Sequence, residues 1–313
     1  MRIITILMML LMTTTLYARD QINIVGSSTV YPFSTVVAER LGKSGKFKTP
    51  VIESTGTGGG MKLFCAGIGV NTPDMSNASR KIKAKEIKLC KNNGVTDITQ
   101  VMVGLDGIAF TSSVKGKEYN FTKKHLWEAM ADLGSKPIKW SDIDPSLPDY
   151  KIAILTPPAT SGTRDAWNSL VMKKGCPKEI LKEKGKKACY LLREDGPVIE
   201  VGENDTLIIN KLVGEPTYFG IFGFSYYDNS RDKVQAHKIE GVEISLKAIQ
   251  DGSYPISRPL YFYVKNQHIG VIPGVEEYVK EFTSKRASGP KGYLMDLGLV
   301  PLAKSVESIS KVE

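Results

Sequence analysis

The sequence of 313 residues lacks the motifs on which most metal-dependent and nucleophilic enzymes rely. Its three histidines, His125, His237 and His268, lie far apart, and there is no CxxC pair, so we expect no metal site. The glycine-rich stretch at 56–60 is not a Walker A loop, because Leu63 stands where that loop needs a Mg²⁺-binding hydroxyl. The motifs GxSxG and HExxH are also absent. We therefore expect neither an enzyme nor a bound cofactor.

Long apolar runs are missing outside the N-terminus, which excludes a polytopic membrane protein. At the N-terminus, Arg2 precedes an apolar stretch at 3–12, and Ala18 follows it, a pattern that predicts a secretory signal peptide over residues 1–18. We expect export to the periplasm as a soluble protein. The net charge is +9 from 42 basic and 33 acidic residues. We interpret this charge as spread along the chain and expect no nucleic-acid partner.

The four cysteines are an even number in a chain expected to reach an oxidising compartment, which favours disulfides. Three pairings are arithmetically possible. Pairing neighbours, Cys65 with Cys90 and Cys176 with Cys189, closes the shorter loops and keeps each bridge within one half of the chain. We expect these two bridges to have a structural role.

Strand-like and helix-like segments alternate along the chain, which is typical of an α/β fold with a largely parallel sheet. Strands are predicted at 22–25 and 50–54, and each leads through a turn into a predicted helix, the second of which starts at Met61. A third helix is predicted over 80–91.

Two apolar strand-like runs, at 101–110 and 260–264, are candidate connections between two lobes. We expect a two-lobed periplasmic-binding-protein-like architecture, with two α/β domains, a hinge and a ligand cleft between them. The predicted domain bounds are 19–105 plus 255–313 for lobe I and 106–254 for lobe II.

Clusters of serine, threonine and glycine follow predicted strands and precede predicted helices at three places. They are Gly26-Ser27-Ser28-Thr29, Thr55 to Gly60, and Thr160-Ser161-Gly162-Thr163. The first N–H groups of a helix have no partner within the helix, and the helix dipole is positive there, so such ends bind anions. Arg80 and Arg164 lie beside two such ends, and a guanidinium matches an oxyanion. The sequence therefore predicts that these groups converge on one small tetrahedral anion.

At these clusters the sequence resembles the periplasmic phosphate-binding proteins (PstS) of phosphate ABC transporters. The resemblance rests on GSSTVYP, GTGGG, NASRKI and PPATSGTRDAW, and extends to GLDGIAF, GIFGFSYY and YPISRPLYFYV. The motifs occur in collinear order over most of the chain. The resemblance implies a type II periplasmic binding protein, a monomer whose lobes close on one dehydrated inorganic phosphate. It also implies delivery of that phosphate to the membrane permease of an ABC transporter.

Carried over by position, the resemblance implies nine residues that contact phosphate. They are Ser28, Thr29, Val30 through its backbone N–H, Thr57, Arg80, Ser161, Gly162, Thr163 and Arg164. Two positions depart from the family. Pro157 replaces an arginine that some members have, and Arg80 replaces the aspartate that accepts the phosphate proton in well-studied members. Asp106, Asp165 or a backbone carbonyl are the candidate acceptors here.

Three alternatives stay open from the sequence. Sulfate has no proton at neutral pH, and a site without an identified proton acceptor does not exclude it or another tetrahedral oxyanion. An exported phosphate-ester hydrolase would use the same anion site, although the sequence shows no activated nucleophile for it. A lobe surface could also serve adhesion or signalling.

Overall fold

Short strands that lead through small-residue loops into helices build both parts of the molecule. The computed structural model describes residues 19–202, 204–303 and 306–312. The signal peptide predicted for residues 1–18 lies outside these residues. Within the described ranges, no helix is both long and apolar enough to span a membrane.

The secondary structure follows the chain in three groups. The first is β1 (Asn23–Gly26), α1 (Tyr31–Lys43), β2 (Val51–Ser54), α2 (Gly56–Phe64), β3 (Met75–Ala78), α3 (Ala84–Asn92) and β4 (Ile98–Ser113). The second is β5 (Asn120–Phe121), α4 (Lys123–Met130), β6 (Ile154–Thr156), α5 (Gly162–Trp167), α6 (Lys173–Gly175), α7 (Lys178–Glu183), α8 (Gly185–Tyr190), β7 (Val198–Glu200), α9 (Asp205–Gly214), β8 (Phe219–Gly223), α10 (Phe224–Asp228), β9 (Val234–Ala236), β10 (Lys238–Ile239) and α11 (Leu246–Gln250). The third is β11 (Ser257–Lys265), α12 (Val275–Phe282), α13 (Lys285–Ser288) and β12 (Ile309–Lys311).

One long strand, β4, joins two sections of sheet. The strand order is β2-β1-β3-β11-β4-β8-β6-β7, and β12 and β9 also pair with β4. The outer strands are parallel, but β11 runs antiparallel to both β3 and β4, and β8 runs antiparallel to β4. The sheet is therefore mixed and not largely parallel as we expected. The reason is that β4 and β11 pass between the two sections, and strands that return in this way pair antiparallel.

The hydrophobic residues form separate cores on the two sides of this connection. The first section carries two clusters, one that includes Phe33, Val37 and Phe262 and a smaller one around the disulfide partner Cys65. The second section carries one large cluster with Phe110 and the tryptophans of its helices. The mixed α/β fold thus has two lobes, lobe I around the first section and lobe II around the second. The exact bounds, with changes of lobe at 105/106 and 254/255, stay a prediction.

Helix α1 shows how the apolar spacing of the sequence produces this packing. Its buried side chains include Phe33, Val37, Ala38 and Leu41, which recur every three or four residues on one face. Pro32 lies in the first turn, where its missing N–H costs no helical hydrogen bond. The helix therefore packs its apolar face on the sheet and directs its N-terminus at the loop after β1.

Two predicted helix starts differ from the structure, and both predicted disulfides are present. Helix α2 begins at Gly56, not at Met61, so the glycine-rich stretch forms its first turns. Helix α3 begins at Ala84, not at Arg80. The bridges join Cys65 to Cys90 and Cys176 to Cys189. The first links the end of α2 to α3, and the second closes the segment that contains α7 and α8.

Candidate functional site

Two serine- and threonine-containing loops, one from each lobe, touch at the carboxyl ends of their strands. The first follows β1 and leads into α1, and the second follows β6 and leads into α5. The Thr29 hydroxyl donates a hydrogen bond to the Gly162 carbonyl oxygen over 3.3 Å. A β-carbon at Gly162 would lie 2.8 Å from Thr29 Cα, which is too close for any side chain. Glycine at 162 is therefore what allows the two lobes to meet.

A cavity of about 220 Å³ opens beside this junction. The polar residues that line it come from both lobes and from the strand between them: Thr29, Asp106, Ser161, Gly162, Thr163, Asp205 and Tyr226. One water takes about 30 Å³ of liquid, so the cavity has room for a small ligand and a few waters. Since both lobes contribute walls, an occupant would hold the lobes together.

The N-terminus of α5 points at this cavity. Ser161 is its N-cap, and the Ser161 hydroxyl accepts a hydrogen bond from the Thr163 backbone N–H over 3.2 Å. The helix continues through a π-helical turn at Asn168–Met172 into α6. The dipoles of the peptide groups add along this helix, so its N-terminus stabilises a negatively charged ligand. The loop at 161–163 therefore offers hydroxyl and amide donors at a positive helix end.

Arg258, which the sequence analysis missed, is the cation at the junction. Its Nη2 donates to Thr29 Oγ1 over 2.7 Å, and its Nη1 donates to Ser169 Oγ over 3.2 Å. Its Nε lies 3.4 Å from Asp106 Oδ2, and its Nη2 lies 3.7 Å from Asp165 Oδ2. The side chain is almost fully buried. Arg258 therefore connects the lobe I loop, the β4 strand and the lobe II helix at one point.

Asp106 is one of two aspartates that line the cavity; the other, Asp205, accepts a hydrogen bond from the Gly223 backbone N–H over 3.3 Å. Asp106 lies opposite Arg258 in the pairing of β4 with β11, and its side chain is 14% exposed. Burial raises the pKa of Asp106, while the positive charge of Arg258 acts in the opposite direction. A carboxylate with a raised pKa holds a proton-donating partner more strongly. Of the acceptors that we considered, Asp106 lines the cavity, whereas the Asp165 side chain is 54% exposed.

The two arginines predicted at the site are engaged elsewhere. Arg80 donates to both carboxylate oxygens of Glu86, over 2.9 and 2.7 Å, and to the Lys81 carbonyl. Arg164 is buried, and its Nη1 donates to Thr156 Oγ1 and to the Pro157 carbonyl. Neither guanidinium lines the cavity. Arg80 has a carboxylate six residues away in the sequence, and that local pairing determines its direction.

The other predicted residues divide between the cavity and its surroundings. Thr29, Ser161, Gly162 and Thr163 lie together at the cavity. Thr57 accepts a hydrogen bond from the Ser79 backbone N–H over 3.1 Å and does not line it. The remaining two, Ser28 and Val30, flank Thr29 in the loop before α1, with Ser28 half-buried and Val30 fully buried. The nine predicted phosphate contacts stay a prediction, and the geometry groups four of them.

A signal for Arg258 exists in the sequence but is weak. The residue lies between Ser257 and Pro259, directly before the apolar and aromatic run at 260–264. An arginine inside a strand that is buried on both faces needs a buried partner, because an unpaired buried charge is costly. This need for a buried partner indicates that Arg258 is a candidate site residue. The sequence does not indicate which residue the partner is.

Comparison with known proteins places this geometry in a family. The model of the family described as "PBP superfamily domain" matches residues 13–286. The chain belongs to the PBP superfamily. Among its relatives in this superfamily is the phosphate-binding protein PstS of Staphylococcus saprophyticus, 28% identical over 92% of this chain and 83% of that protein. Protein SphX of Synechococcus elongatus is 28% identical over 88% of this chain and 76% of that protein.

A solved structure with the same fold agrees with this assignment. It is described as "a possible phosphate binding protein from Planctomyces limnophilus" and is 28% identical, with a TM-score of 0.75. The alignment covers 91% of this chain and 94% of that one. The two-lobed fold expected from the sequence is therefore confirmed for this PBP superfamily member.

Proposed function

We propose that this protein captures inorganic phosphate in the cavity between its lobes and delivers it to the permease of an ABC transporter. The observation that carries the proposal is the junction of Thr29 with Gly162, beside a cavity that both lobes line. The relatives named PstS support phosphate as the ligand. The protein would act in the periplasm as a monomer and would carry out no reaction.

Binding would work by closure of the two lobes. The Thr163 hydroxyl and the α5 N-terminus donate hydrogen bonds to phosphate oxygens, and the Thr29 hydroxyl does so when its one hydrogen turns from the Gly162 carbonyl oxygen to the ligand. Arg258 supplies positive charge through Thr29. Because the donors belong to both lobes, phosphate binds the closed form more tightly than the open form and shifts the equilibrium towards it. The closed shape is then the form that a permease recognises.

Asp106 would accept the proton of HPO₄²⁻ and so replace the aspartate that is missing at position 80. Its location in the cavity supports this role, and its raised pKa makes it a better acceptor. Sulfate has no proton to donate, so its oxygens would face the carboxylate charge without a hydrogen bond. The site is therefore proposed to prefer phosphate over sulfate.

The predicted contacts from Thr57, Arg80 and Arg164 would each need a side-chain rearrangement. Arg80 would have to leave Glu86, and Arg164 would have to leave Thr156. We therefore assign the main contacts to Thr29, Ser161, Gly162 and Thr163, with Arg258 and Asp106 behind them.

Isothermal titration with phosphate and with sulfate tests the proposal. The informative variant is Thr29→Val, which keeps the shape of the side chain and removes the hydroxyl. Thr35→Val is the matched control, because the Thr35 hydroxyl bonds to the Tyr31 carbonyl within α1. Loss of a hydrogen bond to a charged group costs about 1.5–3 kcal/mol, so Thr29→Val should weaken phosphate binding by about 12- to 150-fold. No heat from the wild-type protein with phosphate would reject the function.

A further inference from the structure

Almost all of the net charge of the chain belongs to two short segments, contrary to our expectation that it is spread. Residues 80–91 contain six basic side chains and one acidic, and residues 173–187 contain seven basic and two acidic. Together they carry +10, whereas the whole chain carries +9. The rest of the chain is therefore close to neutral, and these two segments, which we call the basic rim, dominate the electrostatic field.

The lysines of the basic rim lie on the surface and form no close ion pair within the described residues. All twelve of its lysines are exposed. Its lobe I carboxylate, Glu86, is already paired with Arg80. Among the ion pairs of the described residues, none includes a lysine of the rim. An exposed positive cluster of this kind produces a potential that extends into solvent by about a Debye length.

Each segment of the rim begins beside the candidate site. In lobe I it starts at Arg80, three residues after Asn77, whose carbonyl oxygen accepts a hydrogen bond over 2.9 Å from the Ser27 backbone N–H in the loop that carries Thr29. In lobe II it starts at Lys173, at the end of the helix that begins at the 161–163 loop. Along that helix, Asp165 and Ser169 contact Arg258, and Lys173 follows one turn later on the same side.

The charges of the two segments act on each other between the lobes. The pKa of Lys83 is lowered, first by the charge of Arg80, then by burial, and also by Lys85 and by Lys173 of the other lobe. A disulfide also constrains each segment: Cys90 in α3 is joined to Cys65 at the end of α2, and the Cys176–Cys189 bridge closes the loop that contains α7. The positive charge is therefore carried by a constrained segment in each lobe.

We propose that the basic rim steers small anions, inorganic phosphate foremost, into the cleft and so sets the rate of phosphate capture. This inference rests on the proposed function. Since the rim lysines do not line the cavity, they act on the approach of phosphate and not on the bound complex. Charge that is focused on one opening raises association rates by about 10- to 1,000-fold for oppositely charged ligands, and salt removes the effect.

The test measures the association and dissociation rates of inorganic phosphate by stopped-flow mixing. The mixing experiment follows the fluorescence of the three tryptophans, of which Trp167 lies in α5, and titration calorimetry supplies the Kd. The rim variant is Lys81→Gln, Lys83→Gln and Lys173→Gln in one chain. The matched control replaces three exposed lysines away from the cleft, Lys46, Lys115 and Lys117, by glutamine. Lys115 lies nine residues beyond Asp106, just past the end of β4, which is about 30 Å of extended chain.

Both protein variants lose three positive charges. A difference between their association rates therefore shows that the location of the lysines matters, and not only their number. At about 10 mM ionic strength, where the Debye length is about 30 Å, the rim variant should bind phosphate about 3- to 10-fold more slowly than the control. The dissociation rates of the two should agree within about twofold, and at about 0.5 M salt the association rates should converge.

The outcomes separate this inference from the proposed function. Equal association rates for rim variant and control, or a wild-type rate that does not fall with salt, overturn the steering while phosphate binding stands. A rim variant that loses affinity only through faster dissociation also overturns it, because the lysines then act on the bound complex. A wild-type protein with no measurable phosphate affinity overturns both.

Discussion

Replacing Asp106 by asparagine should change which anion the protein prefers. The amide side chain has the size of the carboxylate but no negative charge, so it is a weaker acceptor for the phosphate proton. A hydrogen bond to a charged group is worth about 1.5–3 kcal/mol, which corresponds to a phosphate Kd about 12- to 150-fold higher. Sulfate should bind more tightly than to the wild type, since the carboxylate no longer repels it and Arg258 is freed from its 3.4 Å pairing with Asp106.

The assay is calorimetric titration of each protein with phosphate and with sulfate at pH 7. Asp165→Asn is the control, because Asp165 also lies near Arg258, at 3.7 Å, but its side chain is half exposed. Its effect on either anion should stay below about threefold, since exposed charge pairs are worth less than about 1 kcal/mol. The reasoning is refuted if Asp106→Asn shifts phosphate and sulfate by the same factor, or if Asp165→Asn has the larger effect.

Three further changes should have separable effects. Gly162→Ala should weaken phosphate binding by about 5- to 150-fold, because the new methyl overlaps Thr29 Cα and overpacking costs about 1–3 kcal/mol; titration measures it. Lys265 is buried and its pKa is lowered to about 8, chiefly by burial, so its charged form disfavours the folded state. The unfolding free energy of the wild type should therefore rise relative to Lys265→Met by about 2–3 kcal/mol from pH 8 to pH 10.5, measured in urea. Removing Cys65–Cys90 by double substitution with alanine should cost about 3.5 kcal/mol of stability, since the bridge spans 25 residues.

Each of these three predictions has either a control variant or a result that would contradict it. Gly58→Ala adds a methyl group where no atom lies within 4 Å, and its phosphate affinity should stay unchanged. Equal losses at Gly58 and Gly162 would mean that the close approach to the other lobe is not required. Lys280→Met removes an exposed lysine and keeps Lys265, so the wild type should gain no stability relative to Lys280→Met over that pH range. If the wild type gains as much relative to Lys280→Met as relative to Lys265→Met, burial is not the cause. An unchanged unfolding free energy without Cys65–Cys90 would show that the bridge does not stabilise lobe I.

The parts of the site that follow from local chain chemistry could be predicted. A strand end, a run of small hydroxyl residues and a helix start define the loops around Thr29 and around 161–163. In an α/β sheet, loops of this kind gather at the carboxyl ends of the strands. The two disulfides also followed from spacing, because neighbour pairing keeps each bridge within one lobe. These features depend on residues that are close in the sequence.

The parts that depend on side-chain direction could not be predicted. Arg80 and Arg164 were placed beside the correct loops, but Glu86 and the Pro157 carbonyl hold their guanidinium groups away from the cavity. Arg258 reaches the site because β11 passes beside Asp106, a pairing between strands far apart in the sequence. The mixed sheet was missed for the same reason, since strand direction is a property of the connections and not of the strand residues.

The clustering of charge is visible in the sequence, since residues 80–91 and 173–187 carry nearly all of the net charge. The net charge of the whole chain does not reveal this clustering. The structure makes the pattern meaningful by placing one segment in each lobe beside the cleft.

A crystal structure of the protein grown with saturating phosphate tests the central claim most directly. We predict tetrahedral density in the cavity between the lobes, within hydrogen-bond distance of the Thr29 hydroxyl, the Thr163 hydroxyl and the Asp106 carboxylate. Phosphate found at another place on a protein that calorimetry shows to be saturated, with this cavity holding only water, would contradict the account.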